Sequence, residues 1–193
     1  ARVAAGAGAT IHGASRAVSI TREGEGWRLR CENGGELRAD RVVLATDGYS
    51  DGLWPGLATS IVPLYSAIIA SEPLPADWGA RVLPRRPVVF EAGNVTVYYR
   101  RDADGRLLFG GRGCQRDTAR RADFQHLVDY AARLWPETSR LAWTHWWNGQ
   151  FALTPDFYPR LHAPAPGLYI GLGYSGRGVA LGVAHGAQLA LAA

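Results

Sequence analysis

The 193-residue chain contains no lysine and no methionine, and it has only two cysteines. All 21 basic residues are therefore arginines, and they are scattered along the chain. Because no basic stripe or nucleic-acid-reading motif is present, the net charge of +4 does not indicate a nucleic-acid partner. Cys31 and Cys114 stand far apart without the spacing of a metal site, which favours buried free thiols.

Long apolar runs are also missing from the sequence. No segment is long enough to span a membrane, and no basic segment followed by an apolar core marks a signal peptide. We therefore expect no membrane association and a cytoplasmic location. Apolar residues make up 47% of the chain and charged residues 20%, which is typical of a globular protein rather than a disordered one.

Catalytic machinery of the familiar kinds is absent as well. The five histidines form no metal-binding pair, the carboxylates form no convincing pair, and no catalytic triad is readable. We therefore expect no metal site. The chain also lacks the Gly-x-Gly-x-x-Gly unit that opens a dinucleotide-binding domain, since no hydrophobic strand precedes the Ala4-Ala-Gly-Ala-Gly8 stretch.

The most informative stretch lies near the end of the chain. Leu168 to Leu172 predicts a buried strand, residues 173–178 form a turn with three glycines, and an apolar helix follows from Val179. Such a turn leaves backbone N–H groups without partners at the positive end of a helix, where an anion or an electron-rich ring edge can bind. The alternative is a strand–helix joint whose glycines serve only the turn, because an isolated glycine-rich turn is a weak signal.

The rest of the chain predicts mainly antiparallel strands with one amphipathic helix over residues 120–135, which indicates an α+β fold. The helix would bury a face containing Phe124, Leu127, Val128 and Ala131, and Pro136 would end it. The predicted strands are Ala9–His12, Arg16–Thr21, Trp27–Cys31, Glu36–Ala39, Arg41–Thr46, Ile61–Ala70, Val88–Glu91, Val95–Arg100, Leu107–Gly111 and Leu141–Phe151.

Four motifs, in this order, resemble those of the D-amino-acid oxidase superfamily of FAD enzymes. They are Arg41-Val-Val-Leu-Ala-Thr-Asp-Gly-Tyr-Ser50, Tyr98-Tyr-Arg-Arg-Asp-Ala-Asp-Gly-Arg-Leu-Leu-Phe-Gly-Gly-Arg112, Trp147-Asn-Gly-Gln-Phe-Ala-Leu-Thr-Pro-Asp156 and Gly173-Tyr-Ser-Gly-Arg-Gly-Val-Ala-Leu181. Together they are most similar to the branch that includes γ-glutamylputrescine oxidoreductase. The resemblance implies that residues 1–52 and 156–193 belong to a partial FAD-binding domain. Residues 53–155 would form an inserted, mainly antiparallel substrate domain.

The resemblance also implies roles for individual residues. The cofactor FAD would contact the adenine-side strand at Val18, the strand end at Thr46 and Gly48, and the glycine-rich turn. The turn residues are Gly173, Tyr174, Ser175, Gly176, Arg177, Gly178 and Val179. Candidate contacts for a small amine substrate are Tyr98, Tyr99, Arg112 and Trp147. Flavin chemistry needs little acid–base machinery from the protein, since the cofactor itself accepts the hydride.

Three departures from the family pattern refine this interpretation. Ala180 stands where relatives acting on N-methyl amino acids carry a substrate-binding lysine, which favours a polyamine-like or modified amine. Gly149 replaces the cysteine that tethers FAD in those relatives, which predicts non-covalent FAD. Without any lysine, an electron acceptor other than oxygen stays open.

Three hypotheses follow from these observations. In the first, the chain is part of an FAD-dependent oxidoreductase that oxidises the C–N bond of an amine, and an N-terminal segment carrying the dinucleotide motif is supplied by the same or another chain. In the second, it is a catalytically silent fragment, scaffold or interaction module that does not bind FAD on its own. A nucleic-acid binder driven by arginine is a third and weaker alternative.

Overall fold

The computed structural model describes residues 1–93 and 96–192. The strands within this part are β1 (Ala17–Glu23), β2 (Gly26–Cys31), β3 (Glu36–Ala39), β4 (Val42–Leu44), β5 (Val62–Pro73), β6 (Val89–Glu91), β7 (Val97–Arg101), β8 (Arg106–Arg112), β9 (Trp143–Leu153), β10 (Arg160–Ala165) and β11 (Leu168–Leu172). The helices are α1 (Arg2–Gly6), α2 (Gln125–Leu134) and α3 (Gly178–Ala192). The predicted α+β class with mainly antiparallel strands is confirmed. None of the helices in the described residues combines the length and apolar character of a membrane span.

The chain divides into two compact units. Unit one contains residues 1–62 and the chain from residue 152 onward, and unit two contains Pro63–Phe151. The sequence placed these boundaries after residues 52 and 155. The first compact boundary falls later because Leu57 and Ile61 are buried in the core of unit one. The assignment of a cofactor role to unit one and a substrate role to unit two stays a prediction.

Unit one contains two three-stranded sheets. The first has the order β1-β2-β3 and is antiparallel, with the predicted turn at residues 33–35 between β2 and β3. The second has the order β10-β11-β4, in which β11 runs parallel to β4 and antiparallel to β10. Their shared core includes Trp27, which is 4% exposed and donates its indole N–H to the carbonyl of Pro166 at 3.2 Å.

Two sequence expectations fail in unit one. Residues 9–12 form no strand and are exposed, whereas a strand was predicted there. The alternating small and apolar residues of that stretch have no partner strand among the described residues. Strand β10 was not predicted, because Pro164 interrupts it and its register shifts between His162 and Ala165.

Unit two is a five-stranded sheet with α2 packed on one face. The strand order is β6-β7-β8-β5-β9. The side chains of Leu107 and Phe109 on β8 are fully buried, and the predicted helix face contributes Phe124, Leu127 and Ala131 to the same core. Val95, at the start of a predicted strand, lies outside the described residues.

The tryptophans of β9 do not follow the strict alternation expected from the sequence. That alternation would place Trp143 and Trp147 on one face and Trp146 on the other. Instead Trp143 is buried and Trp146 packs against the same core, while Trp147 is 42% exposed. Trp146 is held there by donating its indole N–H to the carbonyl of Ala119 at 2.9 Å.

Candidate functional site

The glycine-rich turn and the strand-end motif meet because two neighbouring strands are parallel. Strands β4 and β11 pair from Leu168↔Val42 to Ile170↔Leu44, so their carboxyl ends lie at the same edge of the sheet. Each motif follows directly after one of these strands. Ligands of open parallel sheets bind outside the carboxyl ends of the strands, so this edge is the expected position of a binding site.

Asp47 joins the two motifs. One carboxylate oxygen accepts hydrogen bonds from the amides of Gly173 at 2.8 Å and Tyr174 at 3.3 Å, and the other accepts from the amide of Ala152 at 3.0 Å. The backbone of Asp47 is left-handed, with φ 42°. Aspartate tolerates this region better than most residues, and the conformation points to a site that the surrounding contacts hold in place.

The first half of the turn bonds inward. The amide of Ser175 donates to the carbonyl of Ala152 at 2.9 Å, and the amide of Arg177 donates to the carbonyl of Tyr174 at 2.9 Å. Gly173 has φ 77°, and a Cβ added there would lie 2.4 Å from Cγ2 of Thr154. Glycine is therefore required at this position by both conformation and space. The amides of residues 173 to 175 are not free to bind a ligand.

The second half of the turn opens outward. For the amides of Gly176, Gly178, Val179 and Ala180, the described residues provide no recorded acceptor. Gly176, Val179 and Ala180 are exposed, and a Cβ added to Gly176 would meet nothing within 4 Å. The 15-residue helix α3 begins here with no acidic residue in its first turn. These open amides at a helix start fit the electron-rich edge of a flavin ring.

Arg177 does not extend freely from the turn. Its guanidinium donates a hydrogen bond to the carbonyl of Phe157, whose backbone is left-handed with φ 62°. The loop around Phe157 is held further by the hydroxyl of Thr154, which donates to the carbonyl of Tyr158 at 2.8 Å. The Arg177 side chain thus ties the turn to the loop that follows β9.

Val18 lies at a bulge in the first sheet. Ala17 pairs with Cys31 and Ser19 with Arg30, so the register shifts around Val18 and leaves this residue outside the cross-strand pairing. Val18 also lines a cleft of about 220 Å³ together with Arg16 and Asp51. Arg16 binds Asp51 at 2.8 Å, and this hydrogen bond helps to hold the pKa of the Asp51 carboxyl below its usual range.

Thr46 directly precedes the short 3₁₀ turn Asp47–Tyr49 that follows β4, and Gly48 lies within this turn. Gly48 is buried, and the hydroxyl of Thr46 is 2.8 Å from that of Ser50. Both residues therefore flank Asp47 at the sheet edge, which is the region where the sequence placed a cofactor contact.

In unit two, the structure separates the two adjacent tyrosines. The ring of Tyr99 is buried on the α2 side, stacked on Phe109 at a centroid distance of 5.1 Å. Burial and a hydrogen bond to Glu91 raise the pKa of Tyr99 to about 12. Tyr98 lies on the opposite face of the sheet, so the two tyrosines cannot contact one small molecule from the same side.

The side chain of Tyr98 covers Gly110 on the neighbouring strand β8 and extends across it to β5. A Cβ added to Gly110 would come within 2.2 Å of the Tyr98 ring, and the Tyr98 hydroxyl is 2.6 Å from that of Ser66 on β5. Burial raises the pKa of the Tyr98 phenol, against a smaller opposite effect of the bond to Ser66. Arg112 is exposed, and pairs with Ser66 in the β5–β8 register. Ser66, Tyr98 and Arg112 therefore share one face of the sheet.

Sequence reasoning missed Asp47, Ser66 and Gly110. Asp47 stands inside the recognised strand-end motif, so a closer reading of that motif could have singled it out. Ser66 and Gly110 carry no local signal, because their roles depend on strand pairings that join distant parts of the chain.

Comparison with known proteins identifies the family of this chain. The sequence pattern of the family described as FAD dependent oxidoreductase (DAO) matches residues 1–192. A probable oxidoreductase, OrdL, from Rhizobium meliloti is 32% identical over 181 residues, covering 94% of this chain and 42% of its own length. Gamma-glutamylputrescine oxidoreductase from Escherichia coli is 30% identical over 147 residues, covering 75% of this chain and 34% of its own length.

Solved structures show the same fold. Glycine oxidase from Geobacillus kaustophilus superposes with a TM-score of 0.72 at 23% identity, covering 91% of this chain and 47% of its own. Iminodiacetate oxidase from Chelativorans superposes with a TM-score of 0.68 at 19% identity, covering 92% of this chain and 48% of its own. The chain thus spans less than half the length of these relatives. The predicted superfamily and branch are confirmed: the chain belongs to the FAD dependent oxidoreductase (DAO) family.

Proposed function

We propose that this chain supplies part of the FAD-binding domain and the substrate domain of an enzyme that oxidises the C–N bond of an amine or amino-acid-like substrate. The observation that carries the proposal is the row of open amides at the start of α3, placed at the carboxyl edge of two parallel strands. Similar proteins are named γ-glutamylputrescine oxidoreductase, glycine oxidase and iminodiacetate oxidase, and these names support an amine substrate.

On this proposal FAD, when bound, supplies the hydride-accepting chemistry. The amides of Gly176, Gly178, Val179 and Ala180 would hold the negative edge of its ring. The backbone of Val18, at the β-bulge, would contact the adenine end, and Thr46 and Gly48 would border the site at the end of β4. Gly149 offers no thiol for attachment, so FAD would be held without a covalent bond.

The proposed substrate contacts of unit two are Tyr98, Arg112 and Trp147. The Tyr98 hydroxyl, fixed by Ser66, can accept or donate one hydrogen bond, and the exposed ring of Trp147 can attract an ammonium group by a cation–π interaction. Arg112 can bind a carboxylate elsewhere on the substrate. Tyr99 leaves this set, because its ring is enclosed in the core.

We further propose that an N-terminal segment, in the same or another chain, completes the FAD-binding domain on the open side of unit one. Strand β4 lies at the edge of its sheet among the described residues, and it contains the buried apolar residues Val42 and Leu44. Helix α3 exposes Val179, Val183 and Leu191. An apolar edge strand and an apolar helix surface are features that normally pack against another element.

Gly186→Ala tests the packing of this segment. Gly186 is exposed in α3, and an added Cβ would meet nothing within 4 Å, so the substitution should stabilise the present chain by about 0.5–1 kcal/mol. In the completed protein the methyl group would meet the incoming segment and weaken its binding. Gln188→Ala is the control, because Gln188 is also exposed but, two residues along α3, lies on a different side of the helix. Urea unfolding and co-elution with the segment measure both effects; equal co-elution of the two variants would contradict the proposal.

The function itself is tested with the chain joined to the N-terminal segment. Purified protein should carry a cofactor that heat releases as FAD, and its absorption should decay when an oxidisable amine is added without oxygen. Putrescine derivatives and N-methyl amino acids are compared, with a dye as electron acceptor alongside peroxide detection. A completed protein that binds no FAD would establish the alternative of a catalytically silent scaffold.

A further inference from the structure

We infer that Asp47 is a positioning residue that sets the shape of the glycine-rich turn and lowers the reduction potential of the flavin bound beside it. The inference rests on the proposed function, because it concerns the same site. The carboxylate of Asp47 makes hydrogen bonds that the binding role of the turn does not itself require. A single carboxylate holds amides from two segments that lie far apart in sequence.

The geometry explains how the turn obtains its shape. Gly173 and Tyr174 donate to one oxygen of Asp47, and Ala152 donates to the other. Hydrogen bonds to an ionised acceptor are stronger than those between neutral groups. With the first amides of the turn drawn toward Asp47, the chain reverses at Ser175, whose φ is 52°. The amides of Gly176, Gly178, Val179 and Ala180 are then left without an acceptor among the described residues.

The charge of Asp47 is not matched by a nearby cation. No ion pair of Asp47 is recorded within residues 1–93 and 96–192, and its carboxylate partners are all neutral backbone amides. Arg177, the basic residue of the turn, is directed to the carbonyl of Phe157 instead. A full negative charge therefore stands at the base of the turn. Burial and, to a smaller degree, this charge raise the pKa of the Tyr174 phenol, which is the direction expected for a group that would become an anion.

The same charge opposes any further negative charge at the turn. Reduction adds electron density to the flavin ring, so the carboxylate favours the oxidised form. The positive end of α3 acts in the opposite direction. An amide in place of the carboxylate would leave only the helix contribution, and the flavin would become easier to reduce.

Asp47→Asn separates the electrostatic role from the structural one. The asparagine keeps an oxygen for the amides of Gly173 and Tyr174 but presents an NH₂ group to the amide of Ala152. Glu23→Gln is the matched control, since it removes one carboxylate from the other sheet of the same unit, where Glu23 binds Arg38 at 2.8 Å. Asp47→Ala removes both roles.

The first measurement is amide hydrogen exchange in the present chain without flavin. In Asp47→Asn, exchange of the Ala152 amide should accelerate at least tenfold, while Gly173 and Tyr174 stay protected; in Asp47→Ala all three should accelerate. The second is the flavin potential of the completed protein, by equilibration with a reference dye. Asp47→Asn should raise the ratio of reduced to oxidised flavin about tenfold at fixed potential, or about 30 mV for a two-electron couple.

The outcomes distinguish this inference from the proposed function. Unchanged exchange in Asp47→Ala overturns the structural role, and an unchanged potential in Asp47→Asn, or an equal shift in Glu23→Gln, overturns the electrostatic one. Loss of flavin from Asp47→Asn while the amides of Gly173 and Tyr174 stay protected also overturns the electrostatic role, because the turn would then have kept its shape. If even the unmodified protein binds no FAD, the proposed function fails, while the exchange result still decides whether Asp47 shapes the turn.

Discussion

Gly173→Ala is expected to destabilise unit one by about 2–5 kcal/mol and to abolish flavin binding. A non-glycine residue in the left-handed region costs about 1–2 kcal/mol. The added Cβ would also lie 2.4 Å from Cγ2 of Thr154, and such overpacking costs a further 1–3 kcal/mol or so. Relief of the clash would move the Gly173 amide away from Asp47, and the open amides would no longer share one orientation.

Gly176→Ala provides the matched control for this substitution. Gly176 has φ 83°, close to that of Gly173, but an added Cβ there would meet nothing within 4 Å. The control therefore contains the conformational cost of about 1–2 kcal/mol without the clash. Urea unfolding followed by tryptophan fluorescence measures both variants, and flavin retention is measured on the completed protein. Equal destabilisation by the two substitutions would show that Thr154 does not restrict the turn.

The contrast between these two glycines shows which features of this site can be predicted from the sequence alone. The strand Leu168–Leu172, the turn and a helix from Val179 follow from local patterns; the structure has the same strand bounds and begins the helix one residue earlier, at Gly178. The inward bonding of the first half of the turn was not predictable in the same way. It depends on Asp47, which is 126 residues away from Gly173. Contacts over that separation leave no trace in local periodicity.

In unit two the limits of sequence reasoning are of a different kind. Period-two alternation already places Tyr98 and Tyr99 on opposite faces, so their separation was available from the sequence. The contact of Tyr98 with Ser66 was not, because it requires β7, β8 and β5 to be neighbours in that order. The failure at Trp146 has a similar cause, since its position is fixed by a hydrogen bond to the distant Ala119.

Phe109→Ala is expected to destabilise unit two by about 3–5 kcal/mol, the range for removing a fully buried phenylalanine. Phe109 is 0% exposed, stacks on Tyr99 and lies 5.8 Å from the ring of Tyr130. Phe90→Ala is the control, since Phe90 is 66% exposed and its replacement should change stability by no more than about 0.5 kcal/mol. Urea unfolding measures both.

The effect of Phe109→Ala should also reach the opposite face of the sheet. Phe109 and Gly110 are consecutive residues of β8. Phe109 fills the core on one face of the sheet, and Gly110 lies against the Tyr98 ring on the other face. If the strand shifts to fill the cavity, the Tyr98 hydroxyl loses its 2.6 Å contact with Ser66 and its phenol titrates at a changed pH. Ultraviolet titration against a Tyr98→Phe variant measures this change. An unchanged Tyr98 titration in a destabilised Phe109→Ala protein would show that the two faces respond independently.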